Sequence, residues 1–117
     1  MKLIDAECNH DEDDGTAHVW FMDRSQVPPR YFTFCRDLSE QSSKVYYERD
    51  DQKWGTYGLA CKASLQLDGL KIRLPEDVSR SLGITDSVEV SFILSSEKLN
   101  KLEERLVMIL GREQVTR

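Results

Sequence analysis

The segment from Leu67 to Leu110 contains the clearest local signals for the fold and reads LDGLKIRLPEDVSRSLGITDSVEVSFILSSEKLNKLEERLVMIL. Just before it, apolar and polar residues alternate from Leu59 to Leu67, which is the two-residue period of a strand with one buried face. The pair Asp68-Gly69 is typical of a two-residue hairpin turn, because both positions tolerate positive φ angles. The sequence therefore predicts a hairpin whose second strand is Leu70–Leu74.

This hairpin also has a predicted register. A turn at Asp68-Gly69 sets three apolar pairs on the inner face, namely Leu67 with Leu70, Leu65 with Ile72, and Ala63 with Leu74. On the outer face it pairs Gln66 with Lys71 and Ser64 with Arg73. A slip of one residue would turn the leucines toward solvent, so we expect the register to be strongly specified.

A short helix is predicted next. Pro75 suits the first helical turn, because an N–H at that position would lack an intrahelical partner anyway. Glu76 and Asp77 favour the positive end of the helix dipole, and Gly83 is typical of a helix end. These signals predict a crossover helix over about 76–82, followed by a strand of alternating apolar residues over 88–94.

The C-terminal helix has the clearest pattern in the chain. Ser95 or Ser96 can cap it, and an apolar stripe follows at helical spacing. Gly111 is typical of the residue that closes such a helix. The pattern predicts a helix over about 96–110, and residues 112–117 are expected to fray.

The first half of the chain predicts further strands. Aromatic and β-branched residues are frequent in Thr16–Met22, Tyr31–Cys35 and Val45–Tyr47, which are therefore predicted as strands. Leu3–Cys8 is interpreted as a first strand, and Asp37–Ser43 as a polar turn.

At 117 residues we expect one domain, 1–117. The expected fold class is α+β, with a mostly antiparallel, meandering sheet, the short crossover helix, and the C-terminal helix packed on one face.

Charge is distributed unevenly along the chain. Residues 1–59 hold twelve Asp and Glu against seven Lys and Arg, whereas residues 60–117 hold nine of each. The net charge of −5 therefore arises in the first half. Such a field repels nucleic acid and attracts a basic protein, so we expect a basic protein as the partner.

Two groups of residues in the first half are candidates for contacting that partner. The segment His10–Gly15 is expected to be a solvated loop, since four like charges before a glycine disfavour a strand. Trp54 and Tyr57 are expected in loops, where exposed aromatic residues act as binding anchors, unless they fill the open end of the sheet. The candidate contact residues are Asp11, Glu12, Asp13, Asp14, Asp50, Asp51, Trp54 and Tyr57.

The pattern of histidines and cysteines does not predict catalysis or metal binding. Cys8, Cys35 and Cys61 are odd in number and unevenly spaced, which is typical of reduced, packed thiols. His10 and His18 lack the paired spacing of a zinc site, and a histidine-activated Cys35 or Cys61 is the less favoured interpretation. We expect no metal, no cofactor and no enzymatic activity.

The start of the chain bears on its compartment. It reads MKLIDAE and lacks the apolar run of a signal peptide, and no later run reaches membrane-spanning length. We therefore expect a cytoplasmic protein without a membrane partner. An exposed edge strand would allow two copies of the chain to pair as a homodimer.

A first resemblance covers about a fifth of the chain. Residues 70–90 resemble the swapped-hairpin DNA-binding element of AbrB-like antitoxins and regulators. Lys71, Arg73 and Arg80 would supply phosphate contacts, but nearby acidic residues offset their charge. This resemblance implies the alternative function, an AbrB-like antitoxin or transcription regulator that binds DNA.

A longer resemblance runs from about Tyr31 to Leu110. The residues that carry it are Tyr31-Phe32-Thr33-Phe34, Tyr46-Tyr47-Glu48, Asp51-Gln52, Tyr57-Gly58-Leu59 and Leu70-Lys71-Ile72-Arg73-Leu74, with the final strand and helix. In order and spacing they are similar to the immunity protein 10 family of bacterial polymorphic toxin systems. Leu59 departs from the family, in which a second glycine often stands there.

This second resemblance implies a function. Members of such a family are α+β proteins made beside a toxin, which they bind and block so that the producing cell survives. If the toxin is a nuclease with a basic substrate cleft, an acidic surface would occupy or overhang that cleft. Our hypothesis for the mechanism is that the acidic candidates steer the toxin and that Trp54 and Tyr57 anchor it.

Overall fold

The computed structural model describes residues 1–40 and 44–117 of the chain. In these two ranges it has ten strands, two α-helices and one 3-10 turn. The strands are β1 (Lys2–Leu3), β2 (Glu7–Asp13), β3 (Thr16–Asp23), β4 (Arg30–Asp37), β5 (Val45–Arg49), β6 (Asp51–Gly58), β7 (Lys62–Gln66), β8 (Gly69–Arg73), β9 (Ser87–Ser91) and β10 (Val115–Thr116). The helices are α1 (Glu76–Leu82) and α2 (Ser96–Leu110), and the 3-10 turn covers Arg112–Gln114.

The strands form two five-stranded sheets where a single sheet was expected. The first, which we call the meander sheet, has the order β2-β3-β4-β5-β6, and every neighbouring pair in it is antiparallel. The second sheet has the order β1-β9-β8-β7-β10, with β1 and β10 added in parallel at its two edges. The predicted α+β class, dominated by antiparallel pairing, is confirmed.

One hydrophobic core joins the two sheets and both helices. Phe32, Phe34 and Tyr47 pack with ring centroids 5.9 to 6.5 Å apart on the inner face of the meander sheet. α2 contacts β2, β3, β7 and β10, whereas α1 contacts β5 and β6. α1 approaches β6 closely because Gly58 has no side chain; a Cβ there would lie 2.3 Å from the Cγ2 of Val78.

Both predicted helices are confirmed with their bounds. Ser95 caps α2, since its Oγ accepts a hydrogen bond from the backbone N–H of Lys98 at 3.2 Å. Gly83 ends α1 with a φ of +67°, and Gly111 follows α2 with a φ of +93°. These ends depend on local backbone chemistry, which the sequence shows directly.

The predicted hairpin exists, but its turn and register were wrong. The turn residues are Leu67 and Asp68, so Leu65 pairs with Leu70, Ala63 with Ile72, and Ser64 with Lys71. Leu67 is 80% exposed at the tip. Gly69 does not serve the turn; a Cβ there would lie 2.6 Å from the backbone oxygen of Val90, so glycine permits the close approach of β9.

The acidic segment His10–Gly15 was predicted as a loop and is mostly strand. β2 extends to Asp13 and pairs residue by residue with β3, and the turn is Asp14-Gly15, whose φ angles are +51° and +77°. β2 is an edge strand, and charged side chains are common on edges because they discourage pairing with other chains. The predicted first strand Leu3–Cys8 is likewise wrong, because it divides between β1 in one sheet and β2 in the other.

Three further expectations were wrong. Residues 112–117 do not fray, because β10 pairs with β7 and Gln114 Nε2 donates to the carbonyls of Ala60 and Cys61 at 3.1 and 3.2 Å. Leu59 was expected to face inward but is 74% exposed. Trp54 and Tyr57 were expected in loops but belong to β6. The predicted turn over Asp37–Ser43 lies partly outside the described residues.

Candidate interaction face

The meander sheet has one buried face and one accessible face. The accessible side, which we call the open face, carries Trp20, Tyr31, Tyr46, Glu48 and Tyr57. Tyr57 is 67% exposed and the other four residues are half-buried. Large aromatic residues that remain accessible on a sheet are typical of protein-binding surfaces.

Glu48 lies on β5, next to the edge strand β6, and accepts hydrogen bonds from two tyrosines. The hydroxyl of Tyr31 donates to its Oε2 at 2.5 Å, and the hydroxyl of Tyr46 donates to its Oε1 at 2.7 Å. Burial, and then the bond to Glu48, raise the pKa of Tyr46 to about 12, and the same causes raise the pKa of Tyr31. Both hydroxyls therefore stay protonated at neutral pH and hold the aromatic rings in place.

Two hollows lie on either side of this cluster. The smaller, of about 240 Å³, is lined by Trp20, Met22, Tyr31 and Thr33. The larger, of about 510 Å³, includes Tyr46 and Tyr57 together with Cys35 and Asp37. Tyr31 borders the first hollow and Tyr46 the second, so the open face offers two recesses separated by Glu48.

The open face is acidic. The register places five carboxylates and no lysine or arginine at the outward positions of β2 to β5, the carboxylates being Glu7, Asp11, Asp13, Asp37 and Glu48. Glu7 is paired with Arg24 at 2.9 Å, and Arg36 and Lys44 help to line the larger recess. The outer side of the second sheet has the opposite sign, with Lys2, Lys62, Lys71 and Arg73 against Glu89. The charge asymmetry between the two halves of the sequence thus becomes an asymmetry between two sheet faces.

The structure separates the residues of the predicted acidic loop. Asp11 and Asp13 are exposed on the open face, and Asp14 is exposed in the turn. Glu12 lies on the opposite side of β2, where it forms an ion pair with Arg105 of α2 at 3.3 Å. Its charge is therefore partly neutralised within the chain.

The second acidic pair is also divided. Asp50 occupies the turn between β5 and β6 with a φ of +62°, and its carboxylate lies 2.7 Å from Arg30 and 3.4 Å from Arg49. Asp51 is exposed and accepts the backbone N–H of Lys53 at 3.1 Å. β2 and β6 are the two edges of the meander sheet, so the structure does not bring the two acidic groups together.

The two predicted aromatic anchors have different environments. Tyr57 stands on the open face against Tyr46, with ring centroids 5.1 Å apart. Trp54 is half-buried, and the guanidinium carbon of Arg49 lies 4.1 Å from its ring centroid. Trp20, Tyr31, Tyr46 and Glu48 were not predicted as contact residues from the sequence, although alternation along β3, β4 and β5 is the signal that could have identified them.

One row across the open face joins an acid, a histidine and a thiol. Asp11, His18 and Cys35 are cross-strand neighbours, and His18 Nδ1 lies 3.5 Å from the carboxylate of Asp11. Burial, and then the charge of Glu48, raise the pKa of Cys35, and among the described residues His18 forms no hydrogen bond with it. This thiol therefore lacks the lowered pKa of an activated nucleophile.

The other candidate ligands are dispersed. All three cysteines are free, and burial raises the pKa of Cys8 and of Cys61 to about 12. Residues 1–40 and 44–117 contain no group of three or more metal-binding side chains close enough to hold an ion. No helix in the described part of the chain is long and apolar enough to span a membrane.

An accessible sheet face that is rich in aromatic residues is typical of a protein-binding surface. A family model described as Immunity protein 10 matches residues 3–100. The chain belongs to this family, which confirms the resemblance inferred from its motifs. The family name implies an immunity protein of a toxin system. A search of curated proteins and a search of solved structures found no match.

Proposed function

We propose that this protein binds a cognate bacterial toxin, neutralises it, and so protects the cell that makes both proteins. The observation that carries the proposal is the family match over residues 3–100. The open face supplies the docking surface, because its half-buried aromatic side chains and two recesses provide apolar contact area that a partner can desolvate.

Charge favours the open face over the second sheet. A toxin that acts on nucleic acid needs a basic cleft, and the carboxylates of the open face complement such a cleft, although Glu7 is already paired with Arg24. The outer side of the second sheet, with four basic residues against one acid, would be repelled. The proposed inhibition is therefore occlusion of a basic substrate cleft by the open face.

The predicted contact residues take distinct parts in this proposal. Asp11, Asp13, Asp14 and Asp51 are exposed and steer a basic partner during approach. Tyr57 anchors the complex from the open face. Glu12, Asp50 and Trp54 already contact arginines of this chain, so they act at the margin of the interface.

In this role the protein acts in the cytoplasm, where it meets the toxin before export. Protection follows from stoichiometric binding alone and needs no catalytic step, no metal and no cofactor.

The first experiment is co-expression with the toxin domain encoded beside the gene for this chain. Cells that carry the toxin domain are expected to grow only when this protein is also made, and the two proteins should co-purify. Growth arrest despite normal levels of this protein would refute the proposed function.

The second experiment tests steering. The double substitution Asp13→Lys and Asp14→Lys should slow association with the toxin domain several-fold at low salt and reduce the salt dependence of the rate. The matched control is Asp68→Lys with Glu104→Lys, which makes the same charge change at exposed positions away from the open face. Equal association rates for the two variants would show that Asp13 and Asp14 do not steer the toxin.

A second candidate function rests on the basic side of the second sheet. Lys62, Lys71 and Arg73 point outward from β7 and β8, as the alternative of an AbrB-like DNA-binding protein requires. Fluorescence anisotropy with a labelled DNA duplex at about 50 mM salt tests it, because phosphate contacts are strongest at low salt. Binding that Lys71→Glu abolishes would support this candidate, and no binding at that salt concentration would exclude it.

A further inference from the structure

We propose that Glu48, Tyr31 and Tyr46 form a pocket for one arginine side chain of the partner protein. This inference rests on the proposed function, since it names the group of the partner that the open face recognises. The three residues lie between the two recesses, at a distance from Asp13 and Asp14, which lie at the turn between β2 and β3.

The hydrogen-bonding capacity of Glu48 points to a missing cation. Within residues 1–40 and 44–117, its partners are the hydroxyls of Tyr31 and Tyr46, one on each carboxylate oxygen. An ionised carboxylate accepts about four hydrogen bonds, so about two acceptor sites remain. Two remaining sites on two oxygens suit the paired N–H groups of a guanidinium.

The other half-buried acids each have a charged partner, which Glu48 lacks among the described residues. Asp50 lies 2.7 Å from Arg30, Glu89 lies 3.7 Å from Lys2, and Glu103 lies 3.1 Å from Arg117. Glu48 is half-buried like these three acids, yet its hydrogen-bond partners are neutral hydroxyls. Asp23, which is fully buried, also accepts hydrogen bonds from neutral groups, but it accepts four of them, whereas Glu48 accepts two. A cation from outside would supply the missing hydrogen bonds and offset the cost of burying the charge of Glu48.

The surroundings of Glu48 favour arginine over lysine. Tyr31 and Tyr46 are held on either side of the carboxylate by their own hydrogen bonds to it. A planar guanidinium can meet the carboxylate with two N–H groups while its face lies on a tyrosine ring, whereas an ammonium provides neither the fork nor the flat face. Apolar residues beside the arginine would then enter the recess formed by Trp20 and Met22.

The test is the affinity of this protein for the toxin domain encoded beside its gene. Glu48→Gln preserves side-chain size and removes the charge, and we expect its Kd to rise by about 30-fold or more, chiefly through faster dissociation. Tyr31→Phe and Tyr46→Phe should each weaken binding less, because each removes one positioning bond and leaves the carboxylate. The matched control is Glu104→Gln on α2, which should bind as the wild type does.

A double-mutant cycle tests whether the lost affinity belongs to a contact between Glu48 and one arginine of the toxin. One arginine of the toxin, replaced by lysine, should lose affinity for the wild-type chain but lose little more when Glu48→Gln is already present. The arginine pocket would be refuted if Glu48→Gln bound with wild-type affinity, or if its loss of binding free energy added fully to that of every toxin arginine variant. Either result would leave the proposed function standing. A toxin domain that does not bind the wild-type chain would overturn both.

Discussion

Tyr47→Phe removes one oxygen atom from the core and tests how the meander sheet is joined to the second sheet. Tyr47 is fully buried on β5, and its hydroxyl lies between two backbone groups of the segment that leads into β7. It accepts the N–H of Cys61 at 2.7 Å and donates to the carbonyl of Leu59 at 2.7 Å. This hydroxyl therefore supports the connection between the two sheets.

The expected cost comes mainly from the Cys61 N–H. Cys61 is 1% exposed, so water cannot replace the lost acceptor, and a buried unsatisfied donor costs about 1–3 kcal/mol. Leu59 is 74% exposed, so its carbonyl can bind water and adds little. We expect the free energy of unfolding to fall by about 2 kcal/mol, which lowers the Tm by roughly 5–10 °C in a domain of this size.

Urea unfolding followed by tryptophan fluorescence measures this change, and thermal unfolding by circular dichroism checks it. The matched control is Tyr57→Phe, since that ring is 67% exposed on the open face; it should change stability by less than about 0.5 kcal/mol. A Tyr47→Phe variant as stable as the Tyr57→Phe control would refute the role given to the hydroxyl.

Three further predictions concern positions whose roles emerged from the structure. Gly69→Ala should cost about 1–3 kcal/mol in urea unfolding, because its Cβ would lie 2.6 Å from a backbone oxygen that cannot rotate away, and an unchanged midpoint would contradict this. Val115→Ala should cost about 1–3 kcal/mol because Val115 is 3% exposed, whereas Val27→Ala, at 98% exposure, should be neutral; equal effects would mean that the tail frays after all. Hydrogen bonds, first from the N–H of Ile4 and then from Ser25, lower the pKa of Asp23, so its stabilisation is complete above its unfolded pKa of about 3.9 and is lost as the pH falls further. The stability difference between wild type and Asp23→Asn should therefore shrink below about pH 4, and a difference independent of pH between 2.5 and 7 would contradict it.

The helices show what local chemistry determines. The bounds of α1 and α2 followed from Pro75, Gly83, Ser95 and Gly111, since each acts on backbone groups within one turn of itself. Their apolar stripes required only a helical spacing. For this reason both helices were predicted with their observed ends.

The hairpin before α1 shows where local chemistry was insufficient. Asp68-Gly69 has the composition of a tight turn, but the structure places the turn at Leu67-Asp68 and uses Gly69 to admit β9. β9 is separated from the hairpin by a helix, so its approach is a tertiary contact that no turn rule contains. The predicted faces of the strands were nevertheless correct at Leu65 and Ile72, because the shift in pairing did not change their alternation.

The fold class, the two helices, the acidic balance of the first half and the motifs of the family could be predicted from the sequence, because each depends on neighbours in the chain or on their order. The set of side chains that share the open face depends instead on tertiary contacts. Asp11, His18, Cys35, Tyr46 and Tyr57 come from five strands and meet in one row through hydrogen-bond register. Register joins segments far apart in sequence, and it is set by the packing of both sheets around one core.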